Sequence, residues 1–328
     1  MRVLLLHLDG RLPNLALMRI AAHHRSLGDD IELRIGNPQP RLWSDVPDRV
    51  YASAVFQSSL PLARRVKAMY PQAMIGGTGW SVTATLESAG ITTRAADYSI
   101  YPDFQQSIGF TQRGCRLKCE FCVVPEKEGR VQPEQTIADI WRGGEWPKEL
   151  VLLDNDFFGQ PPQVWRARVR ELVEGGFKAS FTQGINARCL TDEAAEAIAS
   201  VRYYNDRMTT RRIYTAWDNR DDEEALFRGL NRLVRYGVKP DHIMVYMLCG
   251  YWFGESHADR DHRRARLREF GARPYPMPYQ RTRELVGFQR WVVGAYDKRI
   301  PWDAWVSNGY DARGLARESD QMRLEDGA

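Results

Sequence analysis

Short apolar runs alternate with segments of helical periodicity along almost the whole chain, and this alternation decides the fold class. Residues 3–8 form a continuous apolar run. Residues 15–27 carry Leu17, Ile20, Ala21 and His24 on one helical face, with Gly28 as the stop. Residues 31–35, 50–56 and 73–75 read as further strands and 60–69 as a helix; the last strand runs into Gly76-Gly77. Strands separated by helices imply a parallel sheet covered on both faces. Residues 1–95 are therefore expected to form a small Rossmann-like open α/β sheet.

Residues 96–106 read as a linker, after which a second series begins. Strands are expected at 107–110, 149–153, 179–181, 212–217 and 242–248, with a weaker one at 273–276. Helices are expected between them at 135–142, 162–174, 192–201, 222–236 and 258–270. The helix from Asp222 opens with acidic residues and stops before Gly237, as dipole and capping rules favour. About six βα units are too few to close an eight-stranded barrel. A partial (βα)6 barrel over residues 105–280 is expected, with its site at the C-terminal strand ends. Residues 281–328 read as a helical, aromatic extension ending in a poorly ordered polar tail from Arg313.

The chain has 328 residues, and its 46 basic and 42 acidic side chains leave too small an excess to imply nucleic acid by themselves. No apolar run approaches the roughly 18 residues that cross a bilayer. The first strand is short and ends in Asp9-Gly10, unlike a secretion signal. A soluble cytoplasmic protein without a membrane partner is expected. Five cysteines, an odd number, argue against a disulfide framework and for a reduced compartment.

Three of those cysteines stand together in Gly114-Cys115-Arg116-Leu117-Lys118-Cys119-Glu120-Phe121-Cys122. The spacing is C-x3-C-x2-C, just after an expected strand. Soft thiolates select zinc, copper(I) or iron–sulfur. A structural zinc site takes four protein ligands, usually in two separated pairs, and no second pair matches here. A 4Fe-4S cluster also needs four ligands, so three cysteines leave one iron open to an exogenous ligand.

The cysteine spacing, the aromatic residue directly before the last cysteine and the βα context resemble the radical S-adenosylmethionine (SAM) superfamily. The resemblance implies that Cys115, Cys119 and Cys122 hold a 4Fe-4S cluster. It implies that SAM chelates the open iron and is split by electron transfer to methionine and a 5′-deoxyadenosyl radical, which takes hydrogen from a substrate whose identity stays open. Phe121 falls at the position that places a backbone group against the adenine. An external one-electron donor such as flavodoxin or ferredoxin is implied as partner.

Further candidates lie at the other strand ends. Asp154, Asn155 and Asp156 resemble the D-D-x-F-like ending of members that carry an N-terminal cobalamin-type domain, where such groups can accept hydrogen bonds from the methionine ammonium. An ordinary capped loop is the alternative. Gly143-Gly144-Glu145 resembles the family's Gly-Gly-Glu motif but precedes its strand, so it is read as a turn. Residues 183–190 look like the subgroup's Q-G-I-N/D-A-R-x-L segment, which makes Gln183, Asn186 and Arg188 candidates for SAM or substrate. A helix entry capped by Thr191 or Asp192 competes with that reading. Asp218 either contacts ribose hydroxyls or caps a helix. Gly250 would allow close approach of the adenine, and Gly254, Glu255 and Ser256 match part of a family turn. Cys249 reads as a buried structural thiol.

The N-terminal sheet is similar to the cobalamin-binding-like domain that precedes many such cores, yet the D-x-H-x-x-G motif is absent. A degenerate domain used for packing or substrate recognition is preferred, with cobalamin as the alternative. The C-terminal part interleaves basic and aromatic residues, among them Arg264, Arg268, Tyr279, Arg281, Arg290 and Trp302. That pattern suits a solvated helix or single-stranded nucleic acid. Three functions follow: a radical SAM enzyme on an unknown substrate, a nucleic-acid or tRNA modifier of the same kind, or a non-catalytic zinc or cluster module.

Overall fold

The structure, a computed structural model, describes residues 1–37 and 46–312. In chain order its strands and α-helices are β1 (Arg2–His7), α1 (Leu15–Ser26), β2 (Asp30–Ile35), β3 (Arg49–Ser53), α2 (Leu60–Met69), β4 (Met74–Gly76), β5 (Ser107–Gly109) and β6 (Gln112–Arg113). Then come α3 (Val124–Lys127), β7 (Gln132–Pro133), α4 (Ile137–Ile140), β8 (Glu149–Leu152), α5 (Pro162–Glu174), β9 (Lys178–Phe181), α6 (Asp192–Ser200) and β10 (Arg202–Tyr203). The last are β11 (Ile213–Ala216), α7 (Glu223–Arg235), β12 (Ile243–Cys249), α8 (His257–Phe270), β13 (Arg273–Pro278), α9 (Arg283–Val293) and α10 (Trp302–Ser307). The chain is thus α/β with parallel sheets. No helix among the described residues is long and apolar enough to cross a membrane. The expected polar tail from Arg313 lies outside the described residues.

Contacts divide the chain into two compact units. The first holds residues 1–109, 114–131 and 140–147; the second holds 110–113, 132–139 and 148 onward. The segment 96–106, read as a linker, falls in the first unit. Asp97 caps Ser99 and receives a 2.6 Å hydrogen bond from Arg25, and Tyr101 is buried. The cysteine loop also falls in the first unit.

The first unit contains a parallel sheet of order β2-β1-β3-β4. The unbroken apolar run of β1 is explained by burial on both faces. Val3 and Leu5 point to the cluster with Leu17, Ile20 and Ala21 of α1. Leu4, Leu6 and Leu8 point to the cluster with Ala63 and Val66 of α2. Asn14 starts α1 by accepting from Leu17 N at 3.1 Å. The strand expected over 50–56 stops at Ser53, because the Val55 and Phe56 amides leave the ladder and donate to the Asp9 carboxylate, each at 2.8 Å.

In the second unit β8, β9 and β10 run parallel, and so do β11, β12 and β13. Ile185 N donates to Tyr214 O at 2.8 Å, which ties the loop after β9 to β11. Burial alternates along β11 and β12: Ile213, Thr215, Ile243, Val245, Met247 and Cys249 are fully buried, while the residues between them are half-buried. Helix α8 packs on β12 and β13, and α9 on β13. The helix expected over 135–142 is cut to the single turn of α4, followed closely by Gly143 and Gly144, both left-handed.

Candidate functional site

The cysteine loop is closed on itself by backbone contacts. Gly114 has φ +78°, and a Cβ there would fall 2.3 Å from Arg130 O, so no other residue fits without moving the chain. Its N–H donates to Glu128 Oε2 at 2.9 Å, and Cys115 N donates to Gly129 O at 3.3 Å. These bonds hold the start of the loop against residues 128–130. Leu117 N points at Cys115 Sγ, 3.4 Å away. Cys122 N donates to Cys119 O at 3.0 Å, forming the turn that carries Phe121. Cys115, Cys119, Phe121 and Cys122 are all half-buried. Among the described residues no three His, Cys, Asp or Glu side chains stand close enough to hold one metal ion. Ligands of a single ion converge on one point, whereas three cysteines of a 4Fe-4S cluster bind three different irons and stand further apart.

The segment leading into this loop is held by Asp154. Its carboxylate accepts from Thr111 N and Thr111 Oγ1, both at 2.6 Å, and from Gln112 N at 3.0 Å. Both oxygens are therefore engaged within the chain, which makes Asp154 a positioning group for residues 111–112. Sequence reasoning had no signal for this pairing across more than forty residues. It also missed Gln112. That side chain is fully buried, and neither end of its amide finds a hydrogen-bond partner among the described residues. A buried amide without partners is costly and marks a place for water or a ligand group.

Burial pushes the Asp154 carboxyl from 3.8 up to about 6, against the three donors that favour its charge. The folded chain keeps this proton to a higher pH than the unfolded chain does. Its contribution to stability is complete below about pH 4 and is lost as pH rises through about 6. Wild type should therefore lose about 3 kcal/mol relative to Asp154→Asn over that window, followed by urea denaturation at successive pH values. A difference that grows with pH would show that the donors outweigh burial.

Other expected site residues collect at the C-terminal ends of the strands of the second unit. Asn155 is half-buried after β8. Asp156 is buried, and a Cβ on Gly159 would lie 2.1 Å from its Oδ2. After β9, Gln183 is exposed and Asn186 is half-buried, 3.4 Å from Arg188 Nε. Arg188 pairs with Asp222. After β11, Asp218 is half-buried; burial raises its carboxyl, with Arg188 opposing. After β12, Gly250 has φ +77°, and a Cβ there would meet Leu285 Cδ1 at 2.4 Å. Its amide donates to Glu255 Oε2 at 2.5 Å, and Glu255 also pairs with Arg263. Cys249 is fully buried, its thiol pushed up to about 12 and donating to Met247 O at 3.2 Å. Gly143 and Gly144 form the expected turn, closed by Trp146 N on Gly143 O.

The first unit has its own strand-end crevice. In an open parallel sheet ligands enter where the strand order reverses, here between β1 and β3. His7 and Ser53 end those strands as register partners. The Tyr101 hydroxyl sits there, 3.1 Å from His7 Nδ1, and accepts from Asn14 N at 3.3 Å. Asn14 Nδ2 donates to Ser53 Oγ at 2.7 Å. The chain's own tyrosine thus takes up the polar groups of the crevice. Cβ atoms on Gly77 and Gly79 would lie 2.2 Å from Ala54 O and Phe56 O, so these glycines serve close backbone packing.

Compared with family models, curated proteins and solved structures, the chain matches none.

Proposed function

We propose that this chain is a radical SAM enzyme. The observation that carries the reading is the closed loop that presents Cys115, Cys119 and Cys122, each half-buried, from a turn that only Gly114 fits. The donor set is three thiolates, which suits a 4Fe-4S cluster with one iron left for SAM. Within the second unit, Gln183, Asn186 and Asp218 are polar groups that follow β9 and β11. When bound, the cluster supplies the electron that splits SAM, leading to hydrogen abstraction from substrate. A one-electron donor such as flavodoxin or ferredoxin would reduce it.

The test is anaerobic reconstitution with iron and sulfide, reduction with dithionite in the presence of SAM, and assay of 5′-deoxyadenosine. The expected result is a brown, iron-loaded protein that forms the product. Tight binding of one zinc, no iron uptake and intact SAM would overturn the proposal.

A further inference from the structure

The sheet β11–β12–β13 buries one face and leaves the other half-covered, and the half-covered face is aromatic. Tyr214 and Tyr246 stack at 5.6 Å with planes 6° apart, and Tyr246 meets Tyr275 edge-on at 5.6 Å. Register places Tyr246 opposite Tyr275 and Leu248 opposite Met277, so this face leads along the strands to exposed Met277 at their C-terminal end. Beyond it Tyr279 is half-exposed and packs against Tyr251 at 4.9 Å. Tyr251 contacts Trp252 at 5.1 Å, and the next residue, Phe253, is wholly exposed. Large aromatic side chains left in water at a strand-end rim mark a binding surface.

The charge around this rim selects the occupant. Residues 273–290 carry four arginines and one glutamate, and that glutamate, Glu284, is paired with Arg260. Arg281 and Arg283 are exposed, and neither forms an ion pair among the described residues. The nearby Glu255 is turned inward to Arg263. Arg283 lies over the Tyr310 ring at 5.7 Å, which leaves its charge without a carboxylate partner among the described residues. Rings that accept any planar partner, next to arginines without such a partner, match the bases and phosphates of one strand. An apolar peptide would have no use for the arginines, and a simple anion none for the rings.

We propose that this rim binds single-stranded nucleic acid, with bases stacked on Tyr279, Tyr251 and Phe253 and phosphates on Arg281 and Arg283. As a substrate assignment it rests on the radical SAM reading. The binding itself needs neither cluster nor SAM, so the two can fail separately.

The test is fluorescence anisotropy of the full chain with short fluorescein-labelled RNA and DNA strands, and with the same sequence as duplex. Single strands should bind in preference to duplex. Phe253→Ala and Tyr279→Ala should each weaken binding about tenfold. Arg281→Ala should lessen the slope of log affinity against log salt by about 0.7. The three substituted side chains are at least half-exposed or at the surface, and circular dichroism melting checks that each variant folds. Failure to bind either strand at low salt, or binding that survives Phe253→Ala combined with Tyr279→Ala, would overturn the inference. A chain that binds strands but never cleaves SAM keeps this inference and loses the catalytic proposal.

Discussion

Replacing any one of Cys115, Cys119 and Cys122 with alanine should reduce 5′-deoxyadenosine formation to the background of cluster-free protein. Each thiolate of a three-cysteine site holds a different iron, so no remaining ligand can take over the lost bond. The folded chain should barely notice. All three side chains are half-buried, and removing such a thiol costs on the order of 1 kcal/mol or less. Activity and stability are thereby separated: iron content and product fall together, while the urea midpoint of the apo chain stays near that of wild type. Cys189 and Cys249 serve as controls. Cys189 is exposed, and Cys249 is fully buried with its proton held. Alanine at either should preserve iron uptake, with only the buried one lowering stability. Full activity in any one of the three loop variants would remove that cysteine from the ligand set.

The sequence made legible those features that depend on neighbours in the chain. The run Val3–Leu8 declared a strand buried on both faces, and the structure places α1 under its odd residues and α2 under its even ones. Thr191 was a candidate cap, and its side chain accepts from Ala194 N. The strand expected at 273–276 forms as β13 although it contains three prolines, because its partner β12 lies on one side only in this sheet.

What depends on distant partners was not legible. Asp154 read as an acceptor at a strand end. Its true neighbours, Thr111 and Gln112, are set by the tertiary fold. Tyr101 stood in an apparent linker, and only the packed structure shows its hydroxyl between His7 and Asn14. Tyr214, Tyr246 and Tyr275 stand one per strand in β11, β12 and β13, so only the register between strands shows that they share a face.

Glu255 matched part of a family turn in sequence, yet in the fold it is the counter-charge for a buried pair of arginines. The side chains of Glu255, Arg263 and Arg260 are respectively 6%, 2% and 6% exposed. Arg263 also donates to Trp217 O at 3.0 Å and Leu248 O at 2.9 Å, so it joins the ends of β11 and β12. Glu255→Ala should cost about 3–5 kcal/mol, because it strands Arg263 in a buried site and removes the acceptor for Gly250 N. That is a large part of the total stability of a typical domain. Urea denaturation at neutral pH would read it as a lower midpoint with an unchanged slope. Glu255→Gln keeps one acceptor and should fall between. Replacing both partners, Glu255→Leu with Arg263→Met, should recover much of the loss, since well-packed apolar groups often match a buried ion pair. Recovery of stability without recovery of SAM cleavage would assign the pair to placing the Gly250 turn. A single Glu255→Ala variant within 1 kcal/mol of wild type, on the scale of an exposed pair, would mean that water screens these charges and that the turn is held by its backbone alone.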